Sequence, residues 1–165
     1  MKRVLAASAA VVGLLMAQQA WASQNTATTT LDVSATVDGS CSVSASGGLS
    51  FGTVLNAGAT DATGTLTVNC TNGLLYNVSL NYGLQPQTNQ RYMLGADSTT
   101  TLAYNLYQDS AHDTPWGTNV GTDTVAGTGT GIDQPLTVYG EVPVLQPQGI
   151  TNQFYSDTVT VTVTY

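Results

Sequence analysis

Alternation of apolar and polar residues at every second position recurs along this chain and limits its fold more than any other feature. Between residues 74 and 82 the even-numbered positions are apolar, while Asn77, Ser79 and Asn81 lie between them. Comparable runs occur at residues 41–51, 66–70, 102–106, 136–144 and 159–165. A period of two is typical of half-buried strands, and no helical period of 3.6 is found after residue 22. About seven such strands, separated by turn residues, predict an all-β, two-sheet antiparallel sandwich.

Residues 1–22 have the pattern of a removable export signal. Lys2 and Arg3 precede an apolar stretch at residues 4–16, and Ala20-Trp21-Ala22 supplies a cleavage site between small residues. The apolar stretch is about 13 residues long, shorter than the ~20 that span a bilayer, so we expect no membrane anchor. The predicted organisation is a signal peptide at residues 1–22, an N-terminal extension at 23–38 and a sandwich domain at 39–165.

Removal of that signal leaves a chain with almost no positive charge. Arg91 is then the sole cation against ten acidic residues, which gives a net charge near −9. Nucleic acid is excluded as a partner because binding phosphates requires clustered lysine and arginine side chains. Binding to an anionic membrane surface is disfavoured for the same reason.

Two cysteines, Cys41 and Cys70, remain in the exported chain. An even pair of cysteines in an oxidising compartment predicts one disulfide. A metal site is the alternative, but these two thiols and the single His112 fall short of the usual four ligands. We therefore expect a disulfide, and neither a metal nor another cofactor.

Residues that could carry catalysis are few and form no recognisable motif. His112 is expected in an exposed loop, and Glu141, the only glutamate, is expected to face solvent. No serine lies in a nucleophile elbow, so the chain is not expected to be an enzyme. Trp116 and Tyr107 could stack on carbohydrate, but scattered aromatic residues in a sandwich more often pack or decorate a loop.

The longest segment rich in glycine and threonine, residues 117–131, is expected to be a mobile loop. The acidic positions between residues 121 and 133 lack the ligand spacing of a calcium loop. A solvated surface loop is therefore expected there.

The two ends of the mature chain carry apolar faces that could pair with each other or with another molecule. In the N-terminal run at residues 28–38 the apolar face consists of Leu31, Val33, Ala35 and Val37. The C-terminal run consists of Val159, Val161, Val163 and Tyr165, and it contains no lysine, proline or bulge signal that would protect an edge strand. The N-terminal run is either the first strand of the chain's own sandwich or a strand that completes a neighbour.

An ordered set of short motifs resembles the spore coat protein U-like family, which includes subunits of archaic, Csu-type, chaperone–usher pili. The motifs are Cys41-Ser-Val43, Phe51-Gly52, Cys70 at the end of a Thr/Val run, Tyr104-Asn-Leu-Tyr107, Trp116-Gly117, Tyr139-Gly140 and Tyr155-Ser-Asp157 with the Thr/Val run that follows it. The resemblance implies an incomplete immunoglobulin-like antiparallel β-sandwich that is completed by a donor strand. It places the donor at Leu31, Val33, Ala35 and Val37, and the acceptor edge at Val159, Val161, Val163 and Tyr165.

The same resemblance implies a function and a set of partners. The chain would be a structural pilin subunit that polymerises by donor-strand exchange into a surface fibre for adhesion and biofilm formation. Its partners would be identical or related pilin subunits, a periplasmic chaperone and an outer-membrane usher. It would be exported through the periplasm to the cell surface, and the chaperone would supply the basic groups that this acidic chain lacks.

One alternative of a different class stays open from the sequence. A self-contained, secreted β-sandwich that binds carbohydrate or matrix would show the same alternation and the same cysteine pair. In that case residues 23–38 would be needed inside the same molecule.

Overall fold

The computed structural model describes residues 25–55, 58–144 and 152–165, which contain nine β-strands and no helix. In chain order these are β1 (Cys41–Ser46), β2 (Thr60–Cys70), β3 (Leu75–Leu80), β4 (Arg91–Gly95), β5 (Thr101–Tyr107), β6 (Val125–Thr128), β7 (Gln134–Val142), β8 (Tyr155–Ser156) and β9 (Val161–Thr164). Over those residues no helix is long and apolar enough to cross a membrane. The predicted signal at residues 1–22 lies outside the described residues.

The strands form two antiparallel sheets, as the alternation predicts. The larger sheet has the order β1-β2-β7-β5-β4-β8, and the smaller has the order β6-β3-β9. Side chains at every second position point between the sheets and form one core, which includes Leu66, Val68, Cys70, Tyr76, Val78, Leu80, Leu102, Tyr104, Leu106, Trp116, Val138 and Val142. The predicted all-β, antiparallel sandwich is confirmed.

Two compact units divide the chain, Met1–Thr36 and Val37–Tyr165. The second unit contains all nine strands. In the first unit, residues 25–36 form no strand and their side chains are exposed.

The disulfide joins two residues that lie directly opposite each other in neighbouring strands. Cys41 and Cys70 are cross-strand partners of β1 and β2, with their Cα atoms 4.1 Å apart. The amide of Thr71 donates to the carbonyl of Ser40, so the two cysteines occupy a non-hydrogen-bonded position, where opposing Cα atoms approach most closely. The bond therefore holds the edge strand β1 onto the large sheet, and the predicted pairing is confirmed.

Replacing both cysteines with serine should lower the free energy of unfolding by about 2–4 kcal/mol, because the bond closes a loop with a sequence separation of 29 residues. Urea unfolding with and without reductant measures the effect. The double variant should not respond to reductant. An unfolding midpoint of the parent protein that survives complete reduction unchanged would contradict the expectation.

The segment at residues 117–131 differs from the predicted mobile loop. It contains β6, which pairs with β3 from Leu75–Thr128 to Val78–Val125. Asp123 is held within the turn before β6, since its carboxylate accepts hydrogen bonds from the amide and the side chain of Asn119. Sequence analysis missed this strand because its glycine and threonine residues provide little apolar alternation.

The chain from Tyr155 onward is divided between the two sheets, and the predicted run at residues 159–165 forms a strand only over Val161–Thr164. β8 pairs with β4 in the large sheet, and β9 pairs with β3 in the small sheet. The crossing occurs at Asp157, whose carboxylate accepts hydrogen bonds from the Tyr104 hydroxyl at 2.6 Å and the Leu84 amide at 2.8 Å. Every second residue from Tyr155 to Tyr165 is apolar or aromatic except Asp157. This one charged side chain is the sequence signal for the break.

Candidate functional site

Over the residues that the structure describes, the edge strands are β1 and β8 in the large sheet and β6 and β9 in the small sheet. Among the described residues, β1 pairs with β2 alone at the end of the large sheet, and β9 pairs with β3 alone at the end of the small sheet. Each strand therefore presents a free edge of backbone N–H and C=O groups, the arrangement onto which an additional strand can add.

A groove of about 770 Å³ is bordered by β1 at Ala45, by β9 at Val161, and by residues 47–55 and 152–159. Its floor is formed by core side chains of both sheets, namely Leu66, Leu80, Leu102, Tyr104, Leu106 and Val138. Ala45, Leu49, Phe51 and Val54 form the wall on the β1 side, and Val159 and Val161 form the wall on the β9 side. The groove is thus an opening into the hydrophobic core, where apolar side chains gain about 25 cal/mol for each Å² removed from water.

Glycines of the large sheet allow the segment after β1 to lie close to the sheet. A Cβ atom at Gly140 would be 2.9 Å from Leu49 Cδ1 and 3.0 Å from Phe51 Cζ. A Cβ atom at Gly64 would be 3.4 Å from the Cβ atom of Leu49. The absence of side chains at these two strand positions lets Leu49 and Phe51 form one wall of the groove.

Tyr104 connects the groove floor to the point where the chain changes sheets. Its ring meets Phe51 edge-on, with the ring centroids 6.1 Å apart, and its hydroxyl donates to Asp157. Burial and the hydrogen bond to Asp157 raise the pKa of Tyr104 well above its usual range. The hydroxyl therefore remains protonated and keeps donating at any physiological pH.

Arg91 of β4, in the large sheet, is bonded to Leu80 of β3, in the small sheet. Its Nε donates to the carbonyl of Asn81 at 2.8 Å, and its Nη2 donates to the carbonyls of Leu80 at 2.9 Å and Trp116 at 2.6 Å. The guanidinium lies 5.0 Å from the centroid of the Tyr82 ring, and the residue is 3% exposed. Burial lowers the pKa of Arg91 from its ordinary value. The one cation outside the predicted signal is therefore used inside the protein.

A family model described as Spore Coat Protein U domain matches residues 27–162, which include every strand but the end of β9. The chain belongs to the Spore Coat Protein U domain family. The predicted resemblance is thereby confirmed.

This Spore Coat Protein U domain chain is similar to known proteins over most of its length. It is 35% identical to "Protein U" of Myxococcus xanthus, covering 99% of this chain and 98% of that protein. It also resembles a chain in the crystal structure of the CsuC–CsuE chaperone–tip adhesion subunit pre-assembly complex from archaic chaperone–usher Csu pili of Acinetobacter baumannii. That similarity has a TM-score of 0.57 and 28% identity, and it covers 79% of this chain and 40% of that chain.

The residues predicted as an acceptor edge occupy three different environments in this Spore Coat Protein U domain. Val159 and Val161 line the groove. Val163 packs against the core from β9, opposite Val78 of β3. Tyr165 lies beyond β9 and is exposed.

The four residues predicted as a donor strand are all exposed. Leu31, Val33 and Val37 are 86%, 85% and 84% exposed, and Ala35 is exposed as well. Residues 25–40 contain no strand.

Trp116, His112 and Glu141 each have a specific partner. Trp116 is buried, and its Nε1 donates to the carbonyl of Val78 at 2.9 Å. His112 is half-buried rather than exposed, and its ring lies 4.9 Å from that of Tyr107. Glu141 is half-buried and accepts a hydrogen bond from the Tyr107 hydroxyl, whose pKa is raised by burial and by the charge of Glu141. Sequence spacing could not show the hydrogen bonds of Trp116 and Glu141, because these join residues 38 and 34 positions apart.

Proposed function

We propose that this chain is a structural pilin subunit that polymerises by donor-strand exchange into a surface fibre. The observation that carries the proposal is the apolar groove between the free edges of β1 and β9, which opens directly into the core. The proposed occupant is the N-terminal run of another copy or of a related subunit. Leu31, Val33, Ala35 and Val37 would then leave water and enter a groove whose floor is formed by apolar core side chains.

The N-terminal run of one subunit and the groove of the next are complementary in backbone hydrogen bonding and in apolar side chains. An extended segment inserted between β1 and β9 would form backbone hydrogen bonds with both free edges, while every second side chain would enter the groove. Because the donor run and the groove are different surfaces of one chain, each subunit can give one strand and receive another. Such a heterologous contact does not close on itself and generates an open filament.

Assembly of such a fibre requires further partners and a route to the cell surface. A periplasmic chaperone would cover the groove before assembly, and an outer-membrane usher would deliver subunits to a fibre that supports adhesion and biofilm formation. The similarity to a chaperone-bound pilus complex supports a chaperone as a partner. Since Arg91 is buried, the chaperone would have to contribute the basic groups that meet the acidic surface of this chain.

The alternative of a self-contained carbohydrate-binding sandwich fits the groove poorly. A volume of about 770 Å³ is within the range of small-molecule sites. The floor of the groove, however, is formed mainly by core Leu and Val side chains, and polar residues such as Asn152, Gln153 and Asp157 belong to the segment on one side of it. A site for polyhydroxylated sugars needs several polar groups that converge on the ligand.

Two aspartate substitutions on opposite faces of the N-terminal run test the proposal. Val33→Asp should reduce the SDS-resistant ladder of the assembled protein at least ~10-fold, because an unpaired carboxylate in an apolar groove costs several kcal/mol. Ser34→Asp adds the same charge one residue along, on the polar face of the run, and should leave the ladder intact. Gel electrophoresis of unheated samples measures the result.

Both substitutions lie on exposed positions, so neither should change the thermal stability of the unassembled subunit in its chaperone complex. Normal laddering of the Val33→Asp protein, or equal loss in both variants, would show that this face does not enter the groove.

A further inference from the structure

Three potential metal ligands from separate segments meet on the large sheet. Asp61 lies on β2, Glu141 on β7, and His112 in the segment after β5. One ligand atom from each residue lies within 4.8 Å of the other two, and His112 Nδ1 is 4.0 Å from Asp61 Oδ1. His112 is the only histidine of the chain, and Glu141 is its only glutamate.

The two carboxylates are placed where their charges repel. Asp61 and Glu141 are direct cross-strand partners in the β2–β7 register, and like charges at opposed positions destabilise a sheet. Arg91 cannot neutralise them, because its guanidinium is buried and bound to three carbonyls. His112 is the remaining nitrogen ligand at this position, and a bound cation would remove the repulsion.

Neighbouring groups hold the histidine and the glutamate in place. The Tyr107 hydroxyl donates to Glu141 Oε2 at 3.2 Å, and the Tyr107 ring packs against the imidazole of His112. His112 has a φ angle of 60°, and the Asp109 carboxylate accepts hydrogen bonds from the amides of Ala111, Asp113 and Thr114 around it. Groups that orient ligands from a second layer are typical of metal sites.

We propose that Asp61, His112 and Glu141 bind one divalent transition-metal ion, for which zinc is the best match. One imidazole and two carboxylates provide the nitrogen and oxygen ligands that zinc accepts, and calcium and magnesium favour oxygen ligands alone. Zinc–ligand bonds of about 2.0–2.1 Å place tetrahedral ligand atoms about 3.3 Å apart. Binding would therefore draw the ligand atoms together by up to about 1.5 Å, and the exposed side chain of Asp61 is free to change rotamer. The fourth position is left for water.

The site lies on the face of the large sheet opposite the groove. The neighbours of Glu141 in β7, Gly140 and Val142, are buried between the sheets, so Glu141 points outward. Metal binding would therefore connect β2, β7 and the segment after β5 without occupying the groove. It is independent of donor-strand exchange and applies to a free or an assembled subunit.

Equilibrium dialysis of the chelator-treated mature protein against zinc chloride tests the site, with bound zinc counted by mass spectrometry. One zinc ion per chain should bind at micromolar free zinc, and zinc at ~100 times Kd should raise Tm by roughly 5–10 °C. His112→Asn and Glu141→Gln should each weaken binding at least ~10-fold, and Tyr107→Phe should have a smaller effect in the same direction. Asparagine tolerates the positive φ of His112, so this variant removes the imidazole without straining the backbone.

Asp113→Asn is the matched control, since this residue follows His112 directly but does not belong to the cluster. It should leave zinc binding unchanged, and scans without zinc should show that all the variants are folded. No binding to the parent protein would overturn the site. Equal loss in the Asp113→Asn variant, or full competition by calcium, would reduce it to a general effect of surface carboxylates and would overturn it as well.

Discussion

A mature chain that begins at Gly39 is expected to bind its chaperone and to form no SDS-resistant polymer with itself. The deletion removes Leu31, Val33, Ala35 and Val37, which are exposed in the structure, and leaves all nine strands and the disulfide in place. The groove between β1 and β9 would persist with no donor to fill it. Co-expression with the chaperone, followed by electrophoresis of unheated samples, measures both properties.

A synthetic peptide of residues 28–38 provides the complementary measurement. Added to the shortened chain, it should raise Tm by mass action, with about 2.7 kcal/mol of stabilisation at 100 times its Kd. The same peptide carrying Val33→Asp should have little effect. If the shortened chain fails to fold even with its chaperone, the N-terminal run is a strand of its own sandwich, as the self-contained alternative requires. Continued laddering without residues 23–38 would also rule out the proposed donor.

Replacing Arg91 with methionine is expected to destabilise the subunit by about 3–5 kcal/mol. Methionine replaces the aliphatic stem of arginine but has no donor, so the carbonyls of Leu80, Asn81 and Trp116 would lose hydrogen bonds from a charged group. Such a loss is a large fraction of the 5–15 kcal/mol that stabilises a typical domain. Urea unfolding, with the donor peptide present in excess, gives the value.

Arg91→Lys is the graded control, because lysine keeps the charge but lacks the planar fork that reaches three carbonyls at once. We expect a loss between those of the parent and the methionine variant. A methionine variant as stable as the parent would show that the cost of burying the guanidinium cancels the hydrogen bonds it makes.

Some features of the groove could be predicted from local sequence and others could not. The inward parity of Leu102, Tyr104 and Leu106 is visible in the sequence, and all three are buried in the structure. The bond between Tyr104 and Asp157 is not visible, because it joins residues 53 positions apart. The partners of Arg91 and the meeting of Asp61, His112 and Glu141 were missed for the same reason.

The sequence by itself determined the class of structure, the burial parity of most strands and the disulfide. These follow from the two-residue period of an extended backbone and from the presence of only two cysteines, and neither depends on which strands become neighbours. Only the tertiary structure decided that residues 155–165 divide between two sheets, that β6 forms one edge of the small sheet, and that β1 and β9 border an open groove. Those features depend on strand order and register, which are set by contacts between distant residues, and alternation along one strand contains no information about its neighbours.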